Sequence, residues 1–318
     1  MNLEAGNANL GCDKNLRNRE GAAVLVGLKK RARPFSARLG LSQLPMDSSS
    51  SKLAALGRTF VAVALIGYGV QFFIYAHTIG VLSQTWPAWL GGAPLTEYLA
   101  GALLVSTGTA ILARFRAEFA TVLLGSVVLL WILGLTLPPA LAALANPAPR
   151  NNVAESAGIC GAILAVAQSL ARRKPRPTST LDITAEKLGI VGRFLFALGL
   201  IIFGIEHLIY AEFVATLVPA WIPWHFFWAE FCGYALLAGA VAITFNVLGC
   251  LGATLTGVMI ALFGLLVNGP RAFAAWNNPD EWTSLFHTLA WSGGAFVFAC
   301  LLRKVSVQKN APTRVISA

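Results

Sequence analysis

After Arg58 the chain is a succession of long apolar runs separated by short polar breaks. The runs cover about Thr59–Ile79, Leu95–Ala113, Phe119–Leu137, Val153–Leu170, Leu188–Tyr210, Phe226–Phe245, Leu248–Val267 and Ser284–Leu302. Each holds roughly 18–23 residues, enough to cross a hydrocarbon layer of about 30 Å at about 1.5 Å per helical residue. Irregular backbone or an open sheet edge would leave N–H and C=O groups without partners in lipid, so each run is predicted to be a helix. The pattern predicts an all-α integral membrane protein of about eight transmembrane helices.

Charge orients these helices. Arg114 and Arg116 follow the second run, Arg172, Arg173, Lys174 and Arg176 the fourth, and Arg303 and Lys304 the eighth. By the positive-inside rule these ends are cytoplasmic. The opposite loops carry only Arg150 and Arg271, so both termini are expected inside and the Trp- and Pro-rich loops outside. The uncharged turn near Asn246 is the least marked boundary.

Composition agrees: 56% of the 318 residues are hydrophobic and 12% charged, a balance suited to a lipid-facing surface. The net charge of +10 resides in the arm, linkers and tail, which leaves no face for a duplex and excludes nucleic acid as a partner. Residues 1–52 form a basic arm without the apolar core of a signal peptide, and disorder is expected there. Met46, just ahead of the first run, is a candidate translation start. Cys12, Cys160, Cys232, Cys250 and Cys300 are scattered singly with no Cys-x-x-Cys pair, so they read as small apolar residues rather than a dithiol or zinc site.

The chain also repeats itself, at a spacing of about 132–135 residues. Gly57-Arg58 recurs as Gly192-Arg193, Tyr75-Ala76 as Tyr210-Ala211, Trp86-Pro87-Ala88-Trp89 as Val218-Pro219-Ala220-Trp221, Glu97 as Glu230, and Asn146-Pro147 as Asn278-Pro279. The resulting organisation is a first four-helix unit over 53–170, a cytoplasmic linker over 171–187, a second four-helix unit over 188–302 and a cytoplasmic tail over 303–318. With an even number of spans per unit, the two tandem bundles should lie parallel, unlike the inverted repeats of many transporters.

An ionisable group at mid-membrane costs roughly 2.5–3.5 kcal/mol on insertion scales, so each one requires a reason. The candidates are Glu97, Glu155, Glu206, His207, Glu230 and His287, all placed near the outer surface by the topology above. Glu97, Glu155 and Glu230 fall in the first turns of the predicted helices, where the dipole favours an anion, and capping is the preferred reading. Glu206 lies near the C-terminal end of its helix, where the dipole opposes it. Gly192, Gly199 and Glu206 share one stripe, so Glu206 is expected to face a closely packed neighbour. His207 follows directly, and His287, at the repeat position of Glu155, is its expected partner. Glu206, His207 and His287 are therefore the candidate proton-transfer or ligand site, since a Glu and a His in a low-dielectric site can hold a shared proton. The alternative is a hydrogen-bonded lock between helices. Two histidines also raise haem, which is disfavoured because both imidazoles would have to face one porphyrin; a metal held by this trio lacks clustered ligand spacing.

The segment from Val218 to Trp228 is dense in Trp and Pro. It reads as an interfacial belt, or as a stiff aromatic mouth admitting a quinone-like ring or a lipid tail. Tyr210, Trp221, Trp224, Glu230 and Trp282 are the candidate binding residues around it. Where the second half has Glu206 and His207, the first has Gln71 and Phe72, so any active site is expected in the second unit.

Gly192-Arg193, Gly204-Ile205-Glu206-His207 with Tyr210-Ala211, Val218-Pro219-Ala220-Trp221-Ile222-Pro223 and Asn278-Pro279-Asp280-Glu281-Trp282-Thr283 resemble the DoxX family of four-helix bacterial membrane proteins. The resemblance is good over about 188–302 and weaker over about 53–170, as for a fused tandem version. It implies a multi-pass protein of the bacterial inner membrane, either quinone-interacting or an accessory subunit of a membrane oxidoreductase. Rival readings are a non-catalytic binder or transporter of a small hydrophobic molecule and a structural scaffold. Quinone is the one cofactor the resemblance suggests.

Overall fold

The computed structural model describes residues 48–75, 94–174 and 179–302. Most of the basic arm, the Trp86–Trp89 loop and the tail after Leu302 lie outside the described residues.

The described chain is helical. Helix α1 runs Ser48–Ile74, α2 Pro94–Ala113, α3 Ala117–Trp131, α4 Leu137–Ala142, α5 Pro147–Ala171 and α6 Thr180–Ile209. There follow α7 Ala211–Leu217, α8 His225–Phe245, α9 Gly249–Phe263, α10 Gly269–Ala274 and α11 Pro279–Leu301. A π-helical turn, Ile132–Thr136, joins α3 to α4, and another, Gly264–Asn268, joins α9 to α10. With these joins counted as single helices, eight of the helices among the described residues are long and apolar enough to cross a membrane. Large apolar side chains such as Leu99, Phe119, Leu130, Phe194 and Leu255 are exposed, a surface that suits lipid rather than water.

Local chemistry sets the helix ends. The Asn146 side chain accepts from Ala148 N at 3.1 Å and the Asn278 side chain from Asp280 N at 3.0 Å. With proline next in each case, these caps start α5 and α11 upstream of Val153 and Ser284, where the apolar runs begin. Ser179 and Asp182 form a capping box that starts α6 at Thr180, so the end of the expected linker over 171–187 is already helix. The wide turns come just before Pro138-Pro139 and Pro270, where a missing N–H and a ring pressing on the carbonyl four residues back loosen the helix. Asn246 does mark a boundary: Asn246 and Leu248 adopt left-handed φ values of 55° and 52° between α8 and α9, as Arg114 and Arg116 do between α2 and α3.

The second half reproduces the first, 132 residues on, at α3 and α9, at the two π turns, at α4 and α10, and at Pro147 and Pro279. Packing repeats as well. Helix α5 lies along α6 and α11 along α1, while α5 and α11 touch each other. The principal partner of each half's first helix thus belongs to the other half. Both crossings are made by glycines: a Cβ on Gly161 would stand 2.5 Å from the Gly192 carbonyl oxygen, and one on Gly293 would stand 2.6 Å from that of Gly57. Side chains at these positions would force the helices apart.

Contacts of Gly57 with Gly293 and of Gly67 with Phe286 place the start of α1 beside the end of α11. Basic residues gather at that end of the bundle. Lys174 bridges Glu118, at 2.7 Å, and Asp182, and Arg172 pairs with Glu186 at 2.8 Å. Hydrogen bonds to Asp182 and then Glu118 hold the Lys174 ammonium above its ordinary pKa.

Candidate functional site

The ionisable residues at the opposite end divide into two places. Glu206 is buried against the first turns of α5. Its Oε1 lies 3.6 Å from Arg150 Nη2, and with the Asn151 amide nitrogen turned toward it that nitrogen donates to Oε1 at 2.9 Å. The dipole of its own helix disfavours the charge, but the positive N-terminal end of α5 and a guanidinium offset it. Gly192 and Gly199 do sit against α5, at Leu164 and Ala154. The small-residue stripe therefore works as the sequence suggested.

Further along α5, Glu155 Oε2 lies 3.8 Å from His287 Nε2 on α11. His287 Nδ1 is 3.2 Å from the carbonyl oxygen of Thr283. The ring of Tyr68, on α1, stands edge-on to His287 with centroids 5.5 Å apart. Tyr68 is 1% exposed, and its hydroxyl has no hydrogen-bond partner among the described residues.

Two expectations change here. Glu155 and Glu230 are not in first turns, because α5 begins at Pro147 and α8 at His225; capping does not account for them. For Glu155 the replacement is the His287 contact. Glu97 does lie in the first turn of α2.

His207 is on the other side of α6. Its Nδ1 is 2.8 Å from the carbonyl oxygen of Phe203, and the residue lines an open-sided cavity of about 1270 Å³ between α6, α7, α8 and α9, with Leu251, Leu255 and Leu262 exposed along it. The lining is almost wholly apolar, with His207, Thr256 and Asn268 as its polar members and with Pro219, Trp221 and Trp228 among its aromatic and proline residues. The expected trio is thus not one site: Glu206 and His287 belong to the polar cluster, and His207 to the cavity. Sequence spacing put His207 about 100° from Glu206 around the helix, and that rotation is enough to turn it toward a different neighbour.

The candidate binding residues spread likewise. Trp221 lines the cavity but is 71% exposed, and Trp224 is 76% exposed with a left-handed φ of 59°. Tyr210 caps the end of α6 and is exposed, and Glu230 is half-buried on α8. Trp282 is at the start of α11, where its Nε1 donates to the Trp276 carbonyl at 2.8 Å, and it is not among the cavity residues. Sequence reasoning missed Tyr68, Arg150 and Asn151. The signal for the Glu155 contact was present, since Glu155 and His287 are repeat equivalents and the two helices carrying them meet.

Among the described residues no three of His, Cys, Asp and Glu are grouped to hold a metal ion. The chain matches no family model, no curated protein and no solved structure.

Proposed function

We propose that this chain is a multi-pass protein of the bacterial plasma membrane, of the DoxX type, that takes a quinone-class or comparably apolar molecule into the cavity of its second half. The supporting observation is the cavity itself. It is large enough for a drug-sized ligand and is walled by hydrocarbon, with a single imidazole available to orient a polar head. The Trp- and Pro-rich segment at its rim supplies a stiff aromatic mouth. Basic side chains at one end of the bundle support a cytoplasmic position for both termini, and the recurrence of elements supports two parallel units. A respiratory role, as ligand site or as accessory subunit of an oxidoreductase, follows from the family resemblance.

The scaffold reading draws on one observation. Gln71, the counterpart of Glu206, makes neutral hydrogen bonds at its site: its Nε2 donates to the Pro279 carbonyl at 2.8 Å, and its Oε1 accepts from Thr283 at 3.3 Å. That position can lock helices without a charge.

Gentle extraction followed by mass spectrometry of co-purifying small molecules tests the ligand reading. Ala235→Trp, which fills the cavity from α8, should abolish a co-purifying quinone or lipid while leaving the thermal melt in place. Unchanged ligand content in that variant would refute the cavity as the binding site.

A further inference from the structure

The contact between Glu155 and His287 has a chemical requirement of its own, independent of the cavity. A carbonyl oxygen only accepts hydrogen bonds, so His287 Nδ1, 3.2 Å from Thr283 O, carries a hydrogen. In the neutral ring Nε2 is then a bare lone pair. That lone pair is enclosed, has no hydrogen-bond partner among the described residues, and lies 3.8 Å from the Glu155 carboxyl oxygen. Two deprotonated acceptors facing each other in a low-dielectric interior repel. Two protons would set an imidazolium against a neutral acid with no anion beside it. A single proton, on either residue, turns the contact into an attraction.

The surroundings leave this balance intact. From α1 comes Tyr68, uncharged, with its buried hydroxyl able to donate or accept. From α6 comes Glu206, whose charge is met by Arg150 and Asn151. On α11, Glu281 is engaged by Arg271 at 2.8 Å and Asp280 is at the helix start. The π turn after α9 presents the amide of Asn268, which donates to Ser284 O at 3.4 Å.

We propose that Glu155 and His287 form a proton-binding site that holds one proton between α5 and α11 at neutral pH, with the Tyr68 hydroxyl in its wall. Because these are the helices through which the halves meet, gain or loss of that proton acts on the contact between the halves.

Proton linkage of stability tests this with the full chain in lipid nanodiscs. In the unfolded chain a free Glu and His together hold only about a tenth of a proton or less above about pH 7.5. If the folded pair keeps one, unfolding releases it, and the unfolding equilibrium constant rises about tenfold per pH unit above about pH 7.5 for as long as the pair holds it. In Glu155→Gln an amide N–H donates to the imidazole and leaves no proton to release, so this variant should lose the tenfold-per-unit dependence relative to wild type. Parallel pH profiles for wild type and Glu155→Gln would overturn the proposal. Should that variant fail to fold, infrared spectroscopy of the wild type at about pH 8 decides. A protonated carboxyl or imidazolium band supports a retained proton, and absence of both refutes it.

Discussion

The ends of α1 and α6 occupy equivalent places, each against the first turns of a helix from the other half, yet they carry different chemistry. At the end of α6, Glu206 meets Arg150 and Asn151; at the end of α1, Gln71 meets the Pro279 carbonyl and Thr283. The repeat equivalent of Arg150 is Trp282, so carboxylate and guanidinium occur together on one side and both give way to uncharged residues on the other. Two further differences follow: Tyr68 corresponds to Phe203, and Phe72 to His207. The comparison separates what the architecture requires, a hydrogen-bonding side chain reaching the neighbouring helix start, from what only the α6 end has added, a half-buried ion pair and an imidazole on a cavity wall.

If the halves share one architecture, the glycine crossings should be equally intolerant. Gly161→Val and Gly293→Val each drive a Cβ into a partner carbonyl at 2.5 or 2.6 Å. Each is expected to cost about 3 kcal/mol or more, read as loss of the monodisperse peak in size-exclusion chromatography. A large effect in one half alone would break the equivalence.

Next in size is the ion pair. Arg150→Met leaves the Glu206 carboxylate to Asn151 and the helix end, and should lower stability by about 2 kcal/mol. Glu206→Gln, which makes the residue like its counterpart, should cost about 1 kcal/mol or less. The double variant Arg150→Trp with Glu206→Gln transplants the pair at the end of α1, Trp282 with Gln71, and should recover most of the loss of Arg150→Met. Failure to recover would mean that the two sites differ in more than these two side chains.

The sequence made some of this legible and hid the rest for physical reasons. Apolar runs give helix number, because hydrocarbon admits little else. They give helix ends poorly, since Asn146, Ser179 and Asn278 act through caps in polar sequence outside the runs. Periodicity correctly turned Glu206 toward a close neighbour. It could not say which neighbour, because helix order is set by the Gly161–Gly192 and Gly57–Gly293 crossings between halves. Tyr68 was invisible among apolar residues until its hydroxyl was found buried beside His287.

His207→Phe, the first-half residue, gives a smaller effect on stability and a sharp one on function. Since Nδ1 bonds only within its own helix, to Phe203 O, its removal should shift the melt by less than about 1 kcal/mol. Co-purified ligand should fall if the imidazole orients it. Equal ligand content in both proteins would assign binding to the apolar walls alone.

The smallest expected effect is at the basic end. Lys174 is 44% exposed in its side chain while it joins α3, through Glu118, to α6, through Asp182, so solvent screens much of its attraction. Lys174→Met should lower the melting temperature by only about 2–4 °C. The sign of its pH dependence is set by the upward shift of the folded-state pKa. The lysine's contribution is complete below the ordinary value of about 10.5 and vanishes as pH climbs through the higher folded value. Wild type and variant should therefore differ by a constant margin from neutral pH to about pH 10 and converge above it. The counterparts of Glu118 and Lys174 in the second half are Cys250 and a position beyond Leu302. A comparable margin from any single substitution near Cys250 would show that this tie is not what distinguishes the first half's basic end.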